Sequence, residues 1–329
     1  MHPVEYRLPA EWEPQAALLT AWPQPGSDWD DVLPAVRNEY TAIIEAVAQR
    51  EQVVLLVAPG DDSARERFAS LSGVTLVPVR YNDTWCRDFG PLVMCNAGHR
   101  LALDFHFNGW GGKHEARLDN RVNAVLARQD LFAGFEFRQS LFEIEGGALD
   151  CDGAGTLLIN RHCVRARHPY LEDAEIDHEL KSWFNARHLL EIDMPPLPGD
   201  DTDGHIDTLA RFIAADRIAF QSHRDDEVTR RLTGQLELLR SRRGAAYDLL
   251  ALPAATDIDP AMPASYANFV LVNGALLVPR YGSEFDDDAL DRLAAAFPDR
   301  QAIGVDARAL ASQGGGPHCA CMQIPDALA

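Results

Sequence analysis

Several short polar segments hold side chains suited to covalent and acid–base chemistry. GGGPHC (314–319) places the Cys319 thiol after three glycines and His318. Glycine permits close backbone approach, which suits a nucleophile held against a substrate. A thiol attacks as its thiolate, and a histidine can relay protons near neutral pH. GDDTDGHID (199–207) offers that histidine, His205, among Asp200, Asp201, Asp203 and Asp207. If the segment is extended, His205 and Asp207 share one face. FEIEGG (142–147) holds Glu145 beside apolar residues and glycines, where an unpaired carboxylate costs free energy. WCRDFGP (85–91) carries Trp85, Arg87 and Asp88, and its Arg–Asp pair also suits plain ordering of a loop.

FNGWGGKHE (107–115) offers Trp110 and Lys113 either as pocket lining or as part of a packed aromatic plug. Cys321 lies two residues past Cys319, so strand alternation returns it to the same side and does not separate the two thiols. A zinc site of His205, His318, Cys319 and Cys321 is disfavoured, because H-C-x-C lacks the spacing of tetrahedral sites. No metal is expected. No nucleotide cofactor is expected either, since the glycines do not match a phosphate-binding motif.

The elements that must position these residues repeat along the chain. Apolar strands at 18–23, 101–108, 157–162, 217–223 and 276–281 each lead to an amphipathic helix, at 30–50, 114–129, 171–187, 225–243 and 286–297. Each helix leads to a second strand, at 53–57, 135–138, 189–193, 247–252 and 301–306. Residues 61–79 read as one extra helix and strand. Four units begin with a further strand, at 91–95, 147–152, 208–213 and 269–273, while the first lacks one. The C-terminal segment 318–324 fits that gap and would remove two exposed sheet edges. The pattern implies one α/β domain over 1–329, a five-bladed α/β propeller of ββαβ units closed by the C-terminal strand. The polar motifs, including SYANF (265–269), all precede the first strand of a unit, so a closed ring gathers them at one end.

The chain has 329 residues, 47% of them hydrophobic, enough for a large core. Its net charge of -20 argues against nucleic-acid binding and suits a small cationic substrate. The start MHPVEYRLPAEWEP has no signal-peptide pattern, and no apolar run is long enough to span a membrane. Six scattered cysteines form no disulfide framework, which points to the cytoplasm.

Taken in order, LPAEWEPQAALLTAWP, WCRDFGP, FNGWGGK, EGG, TDGHID and GGGPHC resemble the agmatine deiminase and bacterial peptidylarginine deiminase family, within the guanidino-modifying pentein superfamily. The resemblance runs over nearly the whole chain and implies a five-bladed α/β propeller without metal or cofactor. It implies that Asp88 and Asp207 grip a guanidinium, that Cys319 attacks its central carbon, and that His205, oriented by Glu145, moves the protons. It also discounts Cys321. The expected reaction is agmatine plus water to N-carbamoylputrescine plus ammonia, through an S-amidino intermediate. Asp201 is the candidate for the distal amine, and Trp85 and Trp110 are candidates for the walls. Pro317, Cys321 and Met322 depart from the commonest pattern, so the distal end of the substrate stays open. The alternatives are peptidylarginine or free arginine as substrate, an amidinotransferase, or a non-catalytic guanidine-binding module. A homodimer also stays open. Cys319→Ser is expected to abolish turnover in a folded protein, and Cys321→Ser to keep most of it. An inactive Cys321→Ser beside an active Cys319→Ser reverses the assignment.

Overall fold

Runs such as VVLLV and LLVP are leucine- and valine-rich, short, and bounded by turn residues, a combination that favours buried strands. The computed structural model describes residues 5–327, and strands form at each expected place. The first sheet contains β1 (Gln15–Ala21), β2 (Gln52–Val57) and β3 (Val74–Pro78). The second contains β4 (Leu92–Asn96), β5 (His99–Phe105) and β6 (Glu136–Ser140), and the third β7 (Leu149–Cys151), β8 (Thr156–Asn160) and β9 (His188–Ile192). The fourth contains β10 (Ala210–Ala214), β11 (Arg217–Gln221) and β12 (Asp248–Leu252), and the fifth β13 (Val270–Val272), β14 (Ala275–Arg280) and β15 (Gln301–Asp306). β16 (Cys321–Pro325) joins the first sheet.

Each of the last four sheets pairs its first two strands antiparallel and its second and third parallel. A parallel neighbour requires a crossover, which the intervening segment supplies, in most units through a helix. β16 runs antiparallel to β1, with Leu19 opposite Met322 and Thr20 opposite Cys321, so the expected pairing of the C-terminal strand with the first unit is present.

Helix Leu33–Ala48 shows how the layers lock. Pro34 sits in its first turn, where a missing N–H is harmless. Val36, Tyr40, Ile43 and Val47 recur at helical spacing and are all buried. They face β2 and β15, which ties the first unit to the fifth. Burying a side chain of this size contributes roughly 1.5–3 kcal/mol.

Several expected spans differ. The helix expected at 114–129 is a short 3-10 turn, Asp119–Arg121, followed by Val122–Leu126. Its earlier residues belong to a loop held by Asn120, whose side chain binds the backbone of Phe107 and Ala116. The helix expected at 225–243 covers Asp226–Leu236, and a Ser241–Gly244 turn follows. The strand expected to 162 stops at Asn160, whose amide clamps the backbone of Met194 and Gly204. Helix Arg161–Arg167 begins there, unforeseen. No helix among the described residues is long and apolar enough to cross a membrane.

One buried carboxylate joins distant parts of the chain. Glu11 Oε2 lies 2.6 Å from Arg211 Nη2 and 2.8 Å from His318 Nε2, and Oε1 accepts the Leu271 amide at 2.8 Å. Arg87 approaches the same carboxylate at 3.8 Å. Arg211 also donates to the Phe269 carbonyl and approaches Asp150 at 3.7 Å. Removing one partner from a buried ionic cluster leaves uncompensated charge, at a cost of about 3–5 kcal/mol. Glu11→Ala is therefore expected to destabilise the protein by about that amount in urea unfolding, and an unchanged midpoint would show that the cluster does not hold the units together.

Candidate active site

The polar loops before β4, β7, β10, β13 and β16 meet at one place. Cys319, His205, Asp207, Asp88 and Glu145 are all buried, from 0 to 5% exposed. GGGPHC reaches this position by close approach. A Cβ on Gly315 would sit 2.5 Å from the Trp85 ring, and one on Gly316 2.5 Å from Asn268 Oδ1. A Cβ on Gly147 would lie 2.5 Å from His205 Nδ1, so the glycines of the EGG segment let the imidazole in. The loop dipeptides with Cys and His are not extended. Residues 317–320 form a turn, and strand geometry begins only at Cys321. That separates the thiols: Cys319 faces Asp207 and Asn268, whereas Cys321 packs in the core across from Thr20. Likewise Ile206–Thr208 is a 3-10 turn, so the expected extended GHID segment is absent. His205 and Asp207 then leave the turn toward different partners.

Asp207 Oδ2 lies 2.7 Å from His318 Nδ1, 3.2 Å from Asn268 Nδ2 and 3.5 Å from Cys319 Sγ. Its Oδ1 has no hydrogen-bond partner. Asp88 accepts from Trp110 Nε1 at 2.9 Å and from the Gly147 amide at 3.1 Å. The His205 ring lies between Asp88 Oδ1, 3.7 Å from Nδ1, and Glu145 Oε2, 3.8 Å from Nε2. Arg167 Nε holds the other oxygen of Glu145 at 2.5 Å.

Burial and these charges set the protonation of each group. Burial raises the Cys319 thiol well above its ordinary value, and Asp207 and Asp88 add to the rise. Burial opposes charge on His205, but Asp88, Cys163 and Glu145 outweigh it and raise the imidazole well above its ordinary value. Against burial, His205 and Arg167 hold Glu145 down at about 2, and His318 holds Asp207 at about 2. Burial lifts Asp88 to about 6 despite His205, with Asp207 and Glu145 adding to the rise.

The expected site residues divide as follows. Trp85, Asp88, Trp110, Asp201 and Cys319 line a cavity of about 530 Å³, together with Asp28, Trp29, Asp83 and His114. Trp110 serves both expected roles, packing edge-on against Phe107 and lining the cavity, while holding left-handed dihedrals. Lys113 turns outward to Asp203. Asp201, the candidate for the distal amine, is half-exposed in this lining and bound to His114 Nε2 at 2.9 Å. Arg87 does not pair with Asp88. It donates to the His318 carbonyl and to Gln323, fastening the nucleophile segment. The disfavoured zinc set does not assemble: both nitrogens of His318 face carboxylates, and Cys321 points elsewhere. Glu145, Cys163 and His205 do come close enough to share an ion. A second cavity, lined in part by residues 254–265, holds none of the catalytic candidates.

Two contributors lacked a local signal. Asn268 Oδ1 accepts the amides of His318 and Cys319 at 3.0 and 3.2 Å, and its Nδ2 lies 3.2 Å from Cys319 Sγ. Asp83, half-buried, is raised to about 6 by burial and by Asp28 and Asp201. SYANF holds Asn268 and the polar run NDTWCRDFGP (82–91) before β4 holds Asp83, but nothing within either segment singles the residue out.

A buried thiol, an imidazole and carboxylates are brought together by loops of an α/β fold of several small sheets. The chain matches the Porphyromonas-type peptidyl-arginine deiminase family over residues 7–325, and it belongs to that family. A Legionella pneumophila protein provisionally named agmatine deiminase is 31% identical, over 97% of this chain and 95% of its own. A cysteine-to-serine variant of C. jejuni agmatine deiminase with substrate bound is 33% identical, with a TM-score of 0.90 over 98% of this chain and 97% of that one. Agmatine deiminase of Enterococcus faecalis is 25% identical, with a TM-score of 0.89 over 98% and 96%.

Asp88, lifted to about 6, can hold a cation as its anion only above that pH. kcat/KM is therefore expected to fall about tenfold per pH unit below about pH 6. A flat profile down to about pH 5 would remove Asp88 from substrate binding.

Proposed function

We propose that this chain is a cysteine-dependent agmatine deiminase, hydrolysing agmatine to N-carbamoylputrescine and ammonia. The observation that carries it is one acidic cavity, lined by Asp88 and Cys319 together with three further carboxylates, Asp28, Asp83 and Asp201. Agmatine has a cation at each end, and the relatives bearing that name match over nearly their whole length. We also read the five sheets as blades of one catalytic propeller, supported by β16 closing the first sheet and by loops of successive sheets sharing the site.

In this reading the guanidinium lies between Asp88 and the free Oδ1 of Asp207, its planar N–H groups matching two carboxylates. It neutralises the two carboxylates that add to the burial-driven rise of the Cys319 thiol and so favours the thiolate, the thiol proton passing to solvent. Asn268 Nδ2, next to the sulfur, supports the same anion. The sulfur adds to the central carbon. His205, cationic at neutral pH, gives a proton to the departing nitrogen, and ammonia leaves an S-amidino enzyme. Neutral His205 then takes a proton from water. The hydroxide oxygen adds to the same carbon, the C–S bond breaks, and the ureido product leaves with the thiol restored. Glu145, fixed by Arg167, keeps the imidazole in place and basic.

Arginine carries an α-carboxylate where agmatine has only hydrogen, and Asp83 and Asp201 repel it. A charge-assisted hydrogen bond contributes roughly 1.5–3 kcal/mol, so Asp83→Asn is expected to lower kcat/KM for agmatine about tenfold to a hundredfold. Asp201→Asn, half-exposed and screened, is expected to cost less than about fivefold. A panel of agmatine, arginine and a peptidyl-arginine, with ammonia and ureido product both measured, tests the proposal. Faster turnover of peptidyl-arginine or arginine by the unaltered protein would reject agmatine and keep the deiminase chemistry. Product formed only with an added amine acceptor would make the protein an amidinotransferase.

A further inference from the structure

Behind the His205 ring lies a thiol that the proposed reaction does not use. Cys163 comes from helix Arg161–Arg167, four residues before Arg167, so both side chains leave one face of that helix. It is fully buried, and its sulfur contacts the Thr202 carbonyl at 3.5 Å. One ligand atom each from Glu145, Cys163 and His205 lies within 4.8 Å of the others. Glu145 Oε2 and His205 Nε2 are 3.8 Å apart, and neither has a hydrogen-bond partner. A tetrahedral ion about 2.0–2.3 Å from its ligands separates them by roughly 3.3–3.8 Å, so small side-chain shifts close the site.

We propose that Glu145, Cys163 and His205 form an inhibitory site for a thiophilic divalent cation, with Zn²⁺ the best match. One thiolate, one imidazole and one carboxylate suit zinc, whereas calcium and magnesium prefer oxygen alone. The ion breaks no protein hydrogen bond at Glu145 Oε2 or His205 Nε2. Arg167 on the far oxygen of Glu145 orients the ligand as an outer partner does in known sites. Asp88, beside the same ring, adds negative charge that offsets the Arg167 guanidinium. On binding, the Cys163 thiol and the His205 imidazolium each lose a proton to solvent, and His205 coordinates through the nitrogen so freed. His205 then has no proton to give the leaving nitrogen, and Glu145 is diverted from orienting it. The groove formed by Asp88, Asp207 and Cys319 stays open to the guanidinium. Inhibition therefore lowers kcat with little change in KM, whereas zinc on Cys319 would compete with substrate.

The full-length enzyme is titrated with buffered free Zn²⁺, and separately with Co²⁺, whose bond to a thiolate absorbs in the near-ultraviolet. Micromolar free Zn²⁺ is expected to lower kcat about tenfold or more, and a chelator to restore it. Cys163→Ala and the gentler Cys163→Ser should retain measurable turnover and, against each variant's own rate without metal, lose most of this sensitivity. Cys319→Ala should retain the cobalt–thiolate band, and the Cys163 variants should lack it. A band that vanishes in Cys319→Ala and persists in Cys163→Ser places the metal on the nucleophile and overturns the proposal, as does equal zinc sensitivity in the Cys163 variants or the absence of both band and inhibition. The cobalt signal needs no turnover, so its outcome is independent of the proposed deiminase activity.

Discussion

Glu11 is a fully desolvated carboxylate that two arginines, a histidine and a backbone amide neutralise together. Those partners come from the segments leading into β4 and β16 and from β10 and β13 themselves. An ion in such surroundings is tolerated only when every partner is in place. Its geometry therefore demands that distant units meet correctly, and the reward appears one bond away. His318 spans Glu11 and Asp207, so the carboxylate that faces Cys319 is braced by a charge outside the pocket. Arg87 extends the brace by fastening the His318 carbonyl and Gln323. The scaffold and the site thus share one hydrogen-bonded network.

The site itself is built with too much negative charge for its size. Asp88, Asp207 and Glu145 surround one histidine and one thiol in a buried space. Burial alone would neutralise several of them. His205 and His318, with Arg167, keep Glu145 and Asp207 ionised, while Asp88 is left near 6 and the thiol protonated. In the proposed reaction a planar cation entering this space meets acceptors already aimed and removes charge that restrains the thiol. Preorganisation of this kind lowers a barrier without reorganising the protein during the reaction. The same surplus of donors behind His205 is what makes a soft metal ion a plausible competitor for the proton-transfer groups.

Much of this was legible in the residues alone. Apolar strand runs at regular intervals set the order of the sheets, because strand length and period are local properties. The missing partner of the first unit implied that 318–324 closes it, and β16 does pair with β1. The polar motifs GGGPHC, GHID, EGG and WCRDFGP marked loops whose glycines have no local purpose. Their purpose is close contact with other loops, as Gly147 against His205 and Gly316 against Asn268 make plain. Cys319, His205, Glu145, Asp88 and Asp207 could accordingly be named from type, motif and family resemblance.

Tertiary structure decided the remainder. Alternation left Cys319 and Cys321 equivalent; a turn over 317–320 assigned one to the pocket and the other to the core. Asp201 was marked by its place near His205; the fold adds that His114 holds it and that the less conspicuous Asp83 lines the same cavity beside it. Asn268, Glu11 and Arg167 act through atoms contributed by residues that are remote in the chain. Side-chain type and local periodicity are written residue by residue, and so the chain determined its strands, its loops and its reactive groups. Which oxygen faces which nitrogen depends on where separate sheets come to rest against one another, and only the folded ensemble of long-range contacts sets that distance.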